Sequence, residues 1–174
     1  VLPLEFLSKL ISAQSVSPHD AHLQPLIVSY LKDNLKKHSL TKKVNLSYDL
    51  YSRNRTTNSH IILSPKDRTS DEHIGFIGHT DVVPADRKSW NSDPFLLSER
   101  QDKLFARGLV DMKGAIFCYL EALIRFLKSH LLQCNIHIFL TSDEEGDGLD
   151  GIEYLFQQLD LKNFSYCLIG EPTS

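Results

Sequence analysis

Cysteine, methionine and tryptophan are scarce in these 174 residues, at three, one and one. Three cysteines, Cys118, Cys134 and Cys167, cannot all pair with one another, and none sits in a CxxC pair. Each lies among apolar neighbours, so the reading is of buried free thiols in a reducing cytoplasm and not of a disulfide scaffold. No apolar run approaches the roughly 20 residues needed to span a bilayer, and the opening VLPLEFLSKLI carries Glu5 and Lys9 within an amphipathic pattern. A membrane partner and a secretory leader are therefore not expected. There is no dense basic run: 19 Lys and Arg are interspersed with 22 Asp and Glu, for a net charge of −3. Nothing there would neutralise a row of phosphates, which argues against nucleic acid as a partner. The chain also lacks a GxSxG elbow, a GxGxxG turn, a Walker A loop and internal repeats.

What is present is an alternation of apolar runs. Residues 4–13 and 21–36 carry apolar side chains at helical spacing, with Ser17-Pro18-His19-Asp20 between them as a turn and helix-start signal. Residues 44–50 and 59–63 read as short strands separated by a polar loop over 51–58. The run 74–83 is continuously apolar, as a strand covered on both faces would be, and Pro84 ends it. Ile116, Leu120, Leu123, Ile124 and Leu127 fall on one face of a helix starting near Asp111 and Met112. A strand over 136–140, a helix over 151–159 and a last buried strand in SYCLIG follow. This order predicts an α/β fold: a largely parallel mixed sheet flanked by helices.

The chemistry gathers where apolar strands stop. IGFIG runs into His79, IHIFLT into Asp143, Glu144 and Glu145, and YCLIG into Glu171. In an open parallel sheet the carboxyl ends of neighbouring strands line one crevice, and with Asp111 they would bring one imidazole and several carboxylates to a single edge. Imidazole and carboxylate oxygen suit zinc, and carboxylates can bridge two ions. Singly, each has a plainer reading: Asp111 as a helix cap, residues 142–145 as a favourable charge at a helix N-terminus, His79 as a satisfied core histidine. Glu171, ending an apolar strand, needs a partner or a metal to offset its desolvation. Four such groups at one edge favour a metal site. Asp143, Glu145, Asp147 and Gly148 imitate half of an EF-hand loop, but its twelfth position, where a bidentate Glu is required, is Tyr154.

GHTDVVP at 78–84, ARGLVDMKG at 106–114, TSDEEG at 141–146 and GEPTS at 170–174 together resemble the co-catalytic zinc aminoacylase and carboxypeptidase family, in that family's motif order. The resemblance spans nearly the whole chain and implies a di-zinc peptidase-like catalytic domain. It implies that His79 and Glu171 hold the first zinc, that Asp111 bridges two ions, that Glu145 belongs to the second, and that Glu144 is the general base. Asp81 would accept the His79 imidazole N–H and fix which nitrogen faces the metal. SVSPHD near the start, together with Trp90 and the Asp93 to Phe95 triplet, favours the branch that takes a small-molecule N-succinylated amino acid substrate. A deacetylase, a carboxypeptidase and a non-catalytic metal-binding remnant are the alternatives. Ala106 and Ala85-Asp86 depart from the family's usual glycines without touching a ligand. Family members continue into a dimerisation domain and a second catalytic half, so the resemblance implies that 1–174 is the N-terminal portion of a homodimeric cytoplasmic enzyme. On that reading the intact enzyme carries two zinc ions, replaceable by cobalt, and this chain holds one more readily than two and is inactive alone.

Overall fold

A computed structural model describes residues 3–161 and 164–173; Ser174, the last residue of the GEPTS motif, lies outside them. Two amphipathic helices open the chain, α1 (Leu4–Ser12) and α2 (Leu23–Lys37). An antiparallel hairpin follows, β1 (Val44–Arg53) and β2 (Thr56–Pro65), in register from Val44 opposite Pro65 to Arg53 opposite Thr56. The loop expected over 51–58 is thus almost entirely strand, and the turn needs only Asn54, at φ 52°, and Arg55. Polarity misleads over 51–53 because β1 lies at the edge of the sheet with most of its side chains in water, and over 56–58 because Thr56 and Asn58 are polar yet buried, Asn58 Nδ2 donating to the Asp150 carbonyl at 2.8 Å.

Then come β3 (His73–His79), a minor hairpin of β4 (Ser98–Arg100) and β5 (Lys103–Phe105), and α3 (Gly114–Ser129). The chain closes with β6 (Asn135–Thr141), α4 (Ile152–Gln157) and β7 (Phe164–Ile169). The main sheet runs β1-β2-β6-β3-β7, with β6, β3 and β7 mutually parallel and β2 antiparallel to them, so that β1 at the edge runs their way again. The 74–83 run stops pairing at His79, four residues earlier than its apolarity suggests. Beyond it Val82 bridges to Val16 instead, in a loop.

The helix faces explain the layers. Phe6, Leu10, Ile27, Leu31, Ile116, Leu120, Ile124 and Leu127 are buried against Ile61, Leu63, Phe76, Ile138 and Leu140 of the sheet. Each such side chain contributes about 1.5–3 kcal/mol on leaving water. The alternate residues of β6 face the other way, where Phe139 meets Phe156 of α4 edge to face at 5.2 Å. Among the described residues no helix is long and apolar enough to cross a membrane.

Two expectations need correction. The last strand, read as buried, is open: Tyr166, Leu168 and Ile169 are 71%, 56% and 58% exposed, because β7 is the far edge of the sheet and little of the described chain covers it. For the same reason Cys167 is exposed, as is Cys118 on the outer face of α3; of the three cysteines only Cys134 is buried, and all are free.

Candidate metal centre

His79 is the last residue of β3, the central one of the three parallel strands, and its side chain is 1% exposed. The strand directs it under the loop that follows β6. Its backbone N–H donates to Met112 Sδ at 3.3 Å, and its Nδ1–H donates to the Asp81 backbone carbonyl at 3.0 Å. This leaves Nε2 facing carboxylates: Asp111 Oδ1 at 2.9 Å, Glu171 Oε1 at 3.3 Å and Glu144 Oε2 at 3.7 Å. Glu145 joins them, its carboxylate oxygen lying within 4.8 Å of donor atoms on His79 and Glu144.

Asp81 is fully buried. Its carboxylate accepts the backbone N–H groups of Glu144 at 3.2 and 3.3 Å and of Glu145 at 3.0 Å. The carboxylate sits 3.5 Å from His79 Nδ1, so the nearest acceptor for that ring N–H is the Asp81 main chain and not the carboxylate expected from the motif. Asp81 thus ties the loop after β6 to the end of β3. Burial pushes its carboxyl up, but the contacts with His79 and with the Glu144 N–H outweigh burial and hold it below the usual value.

The electrostatics of the cluster are lopsided. Burial disfavours a charged His79, yet Asp81, Glu171 and Asp111 reverse this and raise the imidazole to about 9. Burial raises Glu145 and Glu171, and each rises further because Asp111 and Glu144 are close, with His79 opposing. Four carboxylates around one imidazole repel one another unless a cation sits among them. Two overlapping donor sets satisfy that need, His79 with Asp111 and Glu171, and His79 with Glu144 and Glu145. One imidazole with carboxylate oxygens fits a divalent ion such as zinc. Asp111, Glu144 and Glu171 stay 46%, 52% and 37% exposed, which leaves the cluster open on one side.

His79, Asp81, Asp111, Glu144, Glu145 and Glu171 all lie at this cluster, while Asp143 turns away and accepts the Asp150 N–H at 3.1 Å; what holds the six together was not evident in the sequence. Asp111 is no helix cap; it lies in a non-helical stretch ahead of α3, whose N-cap is Lys113. Met112, fully buried, packs under the ends of both β3 and β7. A Cβ on Gly78 would come within 2.8 Å of Met112 Cε, and one on Gly170 within 2.6 Å. Glycine before each of these residues therefore lets His79 and Glu171 close over the same thioether. Lys113, 1% exposed, donates from Nζ to the carbonyls of Leu10 and Ala13, both at 2.9 Å, anchoring this stretch to α1. Asp20 accepts from Thr80 Oγ1 at 2.8 Å and from the Gln24 N–H, coupling the start of α2 to the residue after His79. The one signal for these was Gly and Lys flanking the candidate ligands in the motifs.

The profile of Peptidase family M20/M25/M40 matches residues 75–174. Curated relatives named succinyl-diaminopimelate desuccinylase include that of Rickettsia typhi, 36% identical over 174 residues, covering 97% of this chain and 43% of the relative. That of Magnetococcus marinus is 36% identical over 178 residues, covering 99% and 43%. The chain therefore spans less than half the length of these relatives. Among solved structures it resembles human carnosine dipeptidase 1, with a TM-score of 0.73 at 22% identity over 98% of this chain and 38% of that one. It also resembles the dipeptidase Dug1p of Saccharomyces cerevisiae, with a TM-score of 0.67 at 18% identity over 95% and 37%.

Proposed function

Because the chain belongs to peptidase family M20/M25/M40, we propose that it forms the metal-holding part of an amide hydrolase that cleaves N-succinyl-LL-2,6-diaminopimelate to succinate and LL-diaminopimelate. The observation that carries this reading is the meeting of His79 with Asp111, Glu144, Glu145 and Glu171 at one sheet edge. Relatives at 34–36% identity that bear the desuccinylase name support the substrate.

In this reading His79, Asp111 and Glu171 hold one zinc, and Glu145 with the shared Asp111 begins a second position, with cobalt able to substitute. Among the described residues no second histidine joins these carboxylates, so the second position is the weaker one and this chain alone turns over little substrate. When bound, the metal supplies acidification of a water and polarisation of the amide carbonyl. Glu144, half in solvent and placed among the ligands, takes the proton of the attacking water as its oxygen bonds to the amide carbon. It delivers that proton to the diaminopimelate nitrogen as the C–N bond breaks. Asp81 positions both partners of this step, since it binds the Glu144 and Glu145 main chain and its own carbonyl fixes the His79 ring.

The test is a comparison of kcat/KM for N-succinyl-LL-2,6-diaminopimelate, N-acetylornithine and unmodified dipeptides, using the longest natural protein that carries this chain. Preference for the succinyl substrate by tenfold or more supports the reading. Preference for either of the others reassigns the substrate, and metal-loaded protein inert toward all three contradicts the hydrolase itself.

A further inference from the structure

Away from the metal centre, three histidines from three strands touch across the face of the sheet that α4 covers. His60 Nε2 lies 2.7 Å from His137 Nδ1, and His137 Nε2 lies 2.8 Å from His73 Nδ1. The sheet order β2-β6-β3 makes this row, with His137 in the middle using both ring nitrogens. His60 and His137 are 8% and 7% exposed, and His73 is half-buried at the end of β3. Around them are Phe139, which stacks on His60 at 4.7 Å, and Phe164, 4.9 Å from His137. Beside the row, Asp49 of β1 pairs with His60 across the hairpin, and the Cys167 thiol, raised by partial desolvation, comes from β7. Farther along β1, Arg53 pairs with Asp150 at 2.9 Å and lies over the Tyr154 ring of α4; α4 also sets Phe156 against Phe139, while its Glu153 is exposed.

We propose that His60, His137 and His73 form an imidazole ladder that accepts one proton intact and loses a rung on taking a second, so that the sheet loosens as the protein is acidified. The limit is set by the number of hydrogens the row can hold. A short N···N contact needs one hydrogen in it, no more and no fewer. The three neutral rings carry three hydrogens on six nitrogens: one in each of the two contacts, and the third on an outward-facing nitrogen. One added proton fills the other outward position. A second has only a contact to enter, where it sets N–H against N–H. Burial adds to this, since both His60 and His137 are pushed down to about 4 by desolvation, with Asp49 opposing at His60 and the neighbouring rings reinforcing it at His137.

The unfolded chain has no such limit, and its histidines titrate near ~6.5. Near pH ~5.5 it binds almost three protons on these residues where the folded ladder holds at most one. With His60 and His137 depressed in the folded chain, the stability they contribute is present above ~6.5 and is lost as pH falls toward about 4. A difference approaching two protons raises the unfolding equilibrium constant by close to 100-fold per pH unit. His137→Phe removes both rungs, and His73→Phe removes one. By the same count His73→Phe, which keeps one rung, leaves a difference of about one proton, and His137→Phe, with no rung left, keeps about one only through the burial of His60; in each the slope should fall to roughly tenfold per pH unit, and the second serves if the first does not fold.

The experiment measures urea unfolding of the whole protein from pH 7 to 5 for the wild type and both variants, with nitrogen-15 NMR of labelled histidine on the folded wild type. The expected result is a wild-type slope steeper by about one proton, and through-hydrogen-bond couplings joining His60 to His137 and His137 to His73 at pH 8. Equal slopes in wild type and in every variant that folds, or three rings titrating independently, overturns the proposal. The metal ligands are identical in all three proteins, so neither result depends on the hydrolase reading.

Discussion

Replacing Asp81 with alanine removes a side chain that reaches no substrate, yet it should weaken metal binding. The carboxylate takes three contacts of 3.0 to 3.3 Å from the N–H groups of Glu144 and Glu145. Its loss leaves two amides without their acceptor, each worth about 1–3 kcal/mol when buried. Because Glu144 and Glu145 are only partly buried, water relieves part of this, and the low end, about 2–3 kcal/mol in total, is the expected loss of stability. The loop that carries Glu144 and Glu145 is then no longer tied to β3, and His79 Nδ1 loses a negative neighbour at 3.5 Å. Ring orientation survives in part, since the Asp81 main-chain carbonyl remains 3.0 Å away. The zinc dissociation constant, measured by competition with a chromophoric chelator, should rise roughly 10- to 100-fold without binding being abolished. Asp81→Asn, which keeps one carbonyl oxygen for the loop amides, should recover most of the stability and less of the affinity. A dissociation constant within twofold of wild type in Asp81→Ala would refute the reasoning and leave Asp81 as a strand-end group of purely structural use.

Glu144→Gln should leave zinc content unchanged while lowering kcat by about 10²- to 10⁴-fold; metal analysis paired with a turnover assay checks it, and lost zinc would make Glu144 a ligand. Gly170→Ala drives a methyl to 2.6 Å from Met112 Cε and 3.1 Å from Ala115 Cβ, so thermal denaturation should reveal a loss of about 1–3 kcal/mol. Met112→Ala alone should cost about 2–5 kcal/mol. The Gly170→Ala/Met112→Ala double variant should be more stable than the sum of the two changes implies, and strict additivity would show that the two residues do not press on one another.

Strands β3 and β6 and helix α3 could be read directly from the amino-acid order, because each is buried strongly enough to impose its own periodicity on side-chain polarity. The clustered residues were legible for a related reason: a carboxylate or imidazole at the end of an apolar strand breaks the pattern, and strand ends share an edge. Hairpin residues 51–53 were not legible, since an edge strand facing water tolerates the residues of a loop, and 56–58 were not because Thr56 and Asn58 are polar yet buried, Asn58 donating to the Asp150 carbonyl. Nor was the β4–β5 hairpin, whose strands are three residues each. Support from Met112, Lys113 and the Asp20–Thr80 pair depends on contacts between residues far apart in the chain. The histidine row needs β2, β6 and β3 side by side, and chain order does not give that adjacency.

The proposed metal centre depends on His79 as the imidazole around which the carboxylates gather a cation. Anomalous diffraction at the zinc edge, from crystals of the zinc-loaded protein, tests this most directly. It should place a peak within about 2.0–2.2 Å of His79 Nε2 and of Asp111 and Glu171 oxygens, and no such peak in His79→Ala. A zinc peak bound elsewhere, or one that persists at the same carboxylates in His79→Ala, would contradict it.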